Sequence, residues 1–113
     1  MRHVANSHNE PLSEAVLLIL LSLADTPRHG YAILKDVEEV SEGRVRMSTG
    51  TLYGAIPRLL EAGWIERLVE DEAPRERQSY RLTTAGRDTV RSEVGRLKLL
   101  ARVGTLRLNR GEA

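Results

Sequence analysis

The feature that most constrains this chain is the repeat near its C-terminus. Val90, Val94, Leu97, Ala101, Gly104 and Leu108 recur at alternating spacings of four and three, the seam of a heptad pattern. A helix from Thr84 to about Leu108 is roughly 37 Å long. A chain of 113 residues forms one modest domain, too small to cover such a rod. Its apolar edge therefore needs a second chain.

The segments upstream are shorter. Residues 1–10 are polar and aperiodic, a flexible tail. Ser13 is placed to cap a first helix, with Pro11 just before it and Glu14 suiting the positive end of the helix dipole. Ala15 through Leu23 is apolar nearly all round, so Leu17 and Leu20 are expected to meet a second subunit as well as the core. Asp25-Thr26-Pro27 stops this helix. Tyr31, Ile33, Leu34, Val37 and Val40 give a second helix from Gly30 to Ser41, ended by Gly43. Ser48 caps a third, running from Thr49 to Ala62 with Leu52, Ala55, Ile56, Leu59 and Leu60 inward and Gly63 as terminator. Pro57 lies inside it, removes the hydrogen bond to the Tyr53 carbonyl and should bend the axis. Trp64–Val69 and Ser79–Leu82 read as two strands joined by the charged stretch Glu70–Gln78, and Thr83 caps the last helix.

The fold class is thus mainly α with a small β-hairpin: a winged helix-turn-helix over residues 11–82, followed by a dimerisation helix over 83–113. The expected dimer contacts are Leu17, Leu20, Val90, Val94, Leu97, Ala101 and Leu108.

Several function classes drop out. Without cysteine there is no disulfide scaffold, thiolate metal site or cysteine nucleophile. Phosphate-binding glycine loops, zinc-protease helices and nucleophile elbows are missing from the sequence. His29, the one internal histidine, reads as a helix-start residue, and His3 and His8 as solvated. No enzyme, cofactor or metal is expected. The longest apolar run, Ala15–Leu21, is too short for a bilayer helix and lacks the flanks of a signal peptide, so the expectation is a cytoplasmic protein with no membrane partner. Charge is uneven. Met1–Glu42 holds three basic against seven acidic residues, and the remainder fourteen basic against nine acidic, with Arg outnumbering Lys fifteen to two. That composition fits a polyanionic partner for the second half, because Arg forks onto phosphate. It equally fits a genome rich in Arg codons.

Ser48-Thr49-Gly50-Thr51-Leu52-Tyr53 is the most informative stretch. Small hydroxyl residues and a Gly let a helix tip approach closely, hydroxyls bond phosphates or base edges, and the first-turn amides favour anions. Arg44 and Arg46 stand just before it. A polar leading turn with an apolar trailing face is what a recognition helix needs, although an ordinary capped core helix looks similar. Arg75 and Arg77 are the usable cations of the hairpin tip, which otherwise mixes signs. Trp64 reads as a packing residue. The basic residues of the last helix read as a solvated face.

The combination of His29-Gly30-Tyr31 with Gly50-Thr51-Leu52-Tyr53, followed by Arg58-Leu59-Leu60-Glu61-Ala62-Gly63 and Tyr80-Arg81-Leu82-Thr83-Thr84-Ala85-Gly86, resembles the PadR family of transcriptional regulators, in its branch with a single helix after the wing. The resemblance covers about Leu12 to Leu108 and departs at Pro57, where relatives often have a helix former, and at Trp64, where Leu is common. It implies a homodimeric repressor with its two heads on successive major grooves of a pseudo-palindromic DNA operator. Tyr31, Arg46, Ser48, Thr49, Gly50, Thr51 and Tyr53 would face DNA, with Arg75 and Arg77 as wing contacts. A small aromatic effector at the dimer interface is a further implied partner. The rival reading is a winged-helix protein–protein adaptor without specific DNA binding.

Overall fold

Every helix start foreseen from a hydroxyl residue is closed by that hydroxyl. In the computed structural model, which describes residues 11–68 and 78–112, α1 spans Glu14–Ser22, and Ser13 Oγ accepts from the Val16 amide at 3.1 Å. Helix α3 spans Thr49–Glu61, and Ser48 Oγ accepts from the Thr51 amide at 3.0 Å. Helix α4 spans Thr84–Glu112, with Thr83 Oγ1 accepting from the Gly86 amide at 3.0 Å. Each such cap satisfies an otherwise orphaned first-turn amide.

Helix ends follow the same logic with one difference. After α3, the Trp64 amide reaches the Leu59 carbonyl and the Gly63 amide the Leu60 carbonyl, with Gly63 at φ 79°. This is the paired-bond termination that favours glycine. Helix α2, Gly30–Val40, ends by the same two bonds, from Gly43 to Glu38 and from Glu42 to Glu39. Here Glu42, at φ 56°, takes that position, and Gly43, the residue expected to end the helix, follows it at φ 82°.

The hairpin is part of a three-stranded sheet. Strand β1 is Arg28–His29, β2 is Ile65–Arg67 and β3 is Ser79–Leu82, in the order β1-β3-β2, all antiparallel. Arg28 pairs with Tyr80 and His29 with Ser79, and Ser79 Oγ lies 2.9 Å from His29 Nδ1. Two residues between Pro27 and Gly30 carry no readable alternation, which is why β1 is invisible in the sequence. On the other side Glu66 faces Arg81, and their side chains meet at 2.6 Å.

The core is aliphatic, as the lack of Phe requires. Ile19, Leu20, Leu23, Ile33, Val37 and Leu52 are buried, joined by Ala55, Ile56, Leu59, Ile65, Leu82 and one aromatic ring, Tyr80. Removing a side chain of Leu or Ile size from water is worth about 1.5–3 kcal/mol. Arg28 ties the turn after α1 to α2, donating from Nε to the Ser22 carbonyl at 2.6 Å and standing 3.6 Å from Asp36.

Helix α4 is anchored along its first third. Gly86 is pressed against the Trp64 backbone: a Cβ there would collide with the Trp64 carbonyl oxygen and lie 2.8 Å from its carbon. Arg87 donates to the Ala24 carbonyl at 3.0 Å. Buried Glu93 accepts from Arg96 at 2.6 and 3.0 Å and from the Leu12 amide at 3.3 Å. The Arg96 hydrogen bonds hold the Glu93 carboxyl below its usual range; burial opposes them, and the Leu12 amide adds to the lowering.

These anchors correct part of the expected dimer seam. Leu20 is wholly enclosed within its own subunit and has no side-chain surface to offer another. Val90 belongs to the same core, and Val94 and Leu17 are half-buried. The seam and the core lie on one continuous helix face, so the subunit itself uses the first positions. Beyond them, Leu97, Leu99, Leu100, Val103, Leu106 and Leu108 stand exposed, Leu108 the most at 64 %.

Candidate nucleic-acid interface

The exposed side of α3 is built from small residues. Thr49, Gly50 and Thr51 open the helix at the surface, followed on the same side by Gly54, Pro57 and Arg58. A glycine inside a helix costs about 0.5–1 kcal/mol relative to alanine. Among the described residues nothing lies within 4 Å of a Cβ built on Gly54, and only Ser48 Oγ, at 3.9 Å, approaches one on Gly50. Packing within the subunit therefore requires neither glycine. They leave a shallow strip, one turn long, along which another backbone can approach the helix. Gly54 and Arg58 are not among the expected contacts, although their four-residue spacing from Gly50 places them on its face.

The expected residues divide by environment. Ser48 and Thr51 are exposed, but their hydroxyls bond each other at 3.0 Å while Ser48 caps the helix. Thr49 and Gly50 are exposed at the tip. Tyr31 is 64 % exposed, with the Lys35 ammonium 5.6 Å from its ring centroid. Arg46 is exposed and 3.5 Å from Glu38. Tyr53 is half-buried: its ring packs on the core and lies over Gly30, where a Cβ would meet its hydroxyl and sit 2.9 Å from its Cζ. Arg75 and Arg77 lie outside the described residues.

Two clefts lie near the tip of α3. One, of about 400 Å³, is lined by Tyr31, Leu34, Lys35, Glu38 and Glu39 of α2 with Arg46 and Met47 of the segment before α3. Toward the sheet, one of about 330 Å³ is lined by Tyr53, Ile56, Pro57, Leu60, Arg67, Gln78 and Tyr80. Pro57 is exposed here, and α3 runs unbroken through it. Among the described residues no group of His, Asp and Glu is arranged to hold a metal ion. None of their helices is long and apolar enough to cross a membrane.

Three helices, a wing-bearing sheet and a small-residue helix tip at the surface define a winged helix-turn-helix regulator. The profile of the "Transcriptional regulator PadR-like family" matches residues 19–92, and the chain belongs to that family. That family is one of transcription regulators, not of enzymes. A regulator from Clostridium thermocellum superimposes with a TM-score of 0.67 at 25% identity, over 83% of this chain and 95% of its own. Bacillus subtilis PadR, solved in complex with operator DNA, does so with a TM-score of 0.63 at 20% identity, over 75% of this chain and 48% of its own. An uncharacterized 37.1 kDa protein of transposon TN4556 from Streptomyces fradiae is 41% identical over 81 residues. That match takes in 72% of this chain but only 22% of the transposon protein.

Proposed function

We propose that the chain is a homodimeric repressor that places the tip of α3 from each subunit into successive major grooves of a pseudo-palindromic operator. The observation that carries this reading is the exposed pair Gly50 and Gly54, which no contact among the described residues explains and which suits close approach to a duplex. Thr49, the Ser48–Thr51 pair and Arg58 surround the strip with hydroxyl and guanidinium donors suited to base edges and phosphates. Tyr31 and Arg46 border it. The complex of Bacillus subtilis PadR with operator DNA supports the same role for this fold.

Pairing of subunits is supported by α4. Its exposed leucines and Val103 leave apolar side chains open to solvent along a helix about 43 Å long, the kind of surface that marks an interaction site. Beside its anchored part lies a cleft of about 330 Å³ lined by Leu12, Leu17, Leu18, Glu93, Arg96 and Leu97. Its size suits a small aromatic effector acting where subunits meet.

Selection of genomic fragments with the purified protein tests the reading. A repressor enriches one short inverted repeat, and its affinity falls with salt by a log–log slope of roughly −0.9 per phosphate contact. An adaptor that binds only proteins enriches no fragment, and that result would remove the proposal.

A further inference from the structure

We infer that Glu14 and Glu38 act as tethered competitors for DNA phosphates, holding the two arginines that lead into α3 and so limiting how tightly the protein grips DNA of any sequence. The inference rests on the DNA-binding reading above. Arg44 and Arg46 are the only cations between the end of α2 and the Ser48 cap, and each side chain is 77 % exposed. Arg44 Nη2 lies 3.8 Å from Glu14 Oε2, in the first turn of α1, and Arg46 Nε lies 3.5 Å from Glu38 Oε2, on α2. Both pairs therefore bridge from the connecting segment to another helix. They also hold the guanidinium groups beside the tip that would enter the groove.

The geometry sets the strength. Both contacts are long for charge-assisted hydrogen bonds, and both carboxylates are at least half exposed. An exposed pair of this kind shifts an equilibrium by no more than about fivefold. That is too little to lock the arginines away from a duplex, but enough to weaken every encounter. A phosphate gains an arginine only when a carboxylate loses one. The released carboxylate then stays near the polyanion and takes up a cation from solution. Each exchange thus cancels part of the counterion release that drives binding, and flattens the salt dependence by up to about one unit per carboxylate. Because the competition is with phosphates, it acts on all sequences alike.

The test uses the full chain and a short mixed-sequence duplex, with anisotropy titrations over a range of salt. Glu38→Gln and Glu14→Gln should each tighten binding about two- to fivefold at low salt and steepen the salt slope. Arg46→Gln should weaken binding, and adding Glu38→Gln to it should bring a smaller gain than in the unaltered protein, because the arginine that the carboxylate held is gone. The inference is overturned if the unaltered protein binds and neither carboxylate variant binds more tightly. It also falls if Glu38→Gln tightens binding equally in the Arg46→Gln background, which marks a diffuse charge effect instead of a tether. Failure of the unaltered protein to bind the duplex even in dilute buffer removes the DNA-binding reading itself, a different result.

Discussion

The Tyr53 ring lies directly over Gly30, so the two most recognisable motifs of the chain, His29-Gly30-Tyr31 and Gly50-Thr51-Leu52-Tyr53, touch each other. The contact sets α2 against α3 at the point where each meets the surface. Gly30→Ala would drive a methyl into the Tyr53 hydroxyl. Because that hydroxyl is the far end of a side chain, the ring can swing aside, and the loss should be about 1–2 kcal/mol in urea unfolding, within the usual range for overpacking. The loss should shrink in a Tyr53→Phe background, where the nearest colliding atom is missing and only Cζ, at 2.9 Å, remains close. Equal losses in both backgrounds would show that this contact is not the cause.

Gly54 offers the opposite test, since none of the described residues fills the space above it. Gly54→Ala should raise stability by about 0.5–1 kcal/mol through helix propensity. Gly54→Leu should fold equally well yet weaken DNA binding at least tenfold, about 1.4 kcal/mol. A Leu variant that binds DNA as tightly as the original protein would place the groove-facing surface elsewhere.

Leu100, 53 % exposed on α4, is a clean probe of assembly because the subunit does not bury it. Leu100→Glu should leave the helical circular-dichroism signal of the head in place while shifting sedimentation from dimer to monomer. Dimer affinity should fall roughly a hundredfold, the scale of a charge left in an apolar contact. An unchanged sedimentation coefficient would exclude this face.

Glu93 makes stability depend on pH in a fixed direction. Its carboxyl is held below the ordinary value of 4.5 in the folded chain, so the unfolded chain takes up a proton first as the solution is acidified. The stabilisation from the Arg96 and Leu12 contacts is therefore complete above about pH 4.5 and declines as pH falls through the lowered folded value. Thermal midpoints should drop below that point in the original protein. They should drop less steeply in Glu93→Gln, which has no carboxylate to protonate.

The parts of the molecule that local patterns control were legible in the sequence. Ser13, Ser48 and Thr83 announce the helix starts because a cap needs only a hydroxyl within three residues of an amide, and Gly63 announces an end for an equally local reason. What escaped depends on distant partners. Strand β1 exists through pairing with β3, fifty residues away. Leu20 reads as an interface residue because α1 is apolar all round, yet it is wholly buried in the core of its own chain. Tyr53 stands one turn after Gly50, as a groove-facing residue would, but its ring turns back to Gly30, a contact that no spacing within α3 reveals. Gly54 and Arg58 were within reach of the four-residue rule and show that following a helix face past its first turn recovers more of the surface.

The pairing of β1 with β3 has a mechanical consequence. It sews the turn before α2 to the base of the wing, while Arg28 fastens that turn to the end of α1, so two separate contacts hold the start of α2 in place. In the dimer proposed above, α4 beyond its Glu93 anchor would then be the lever through which one head tilts against the other.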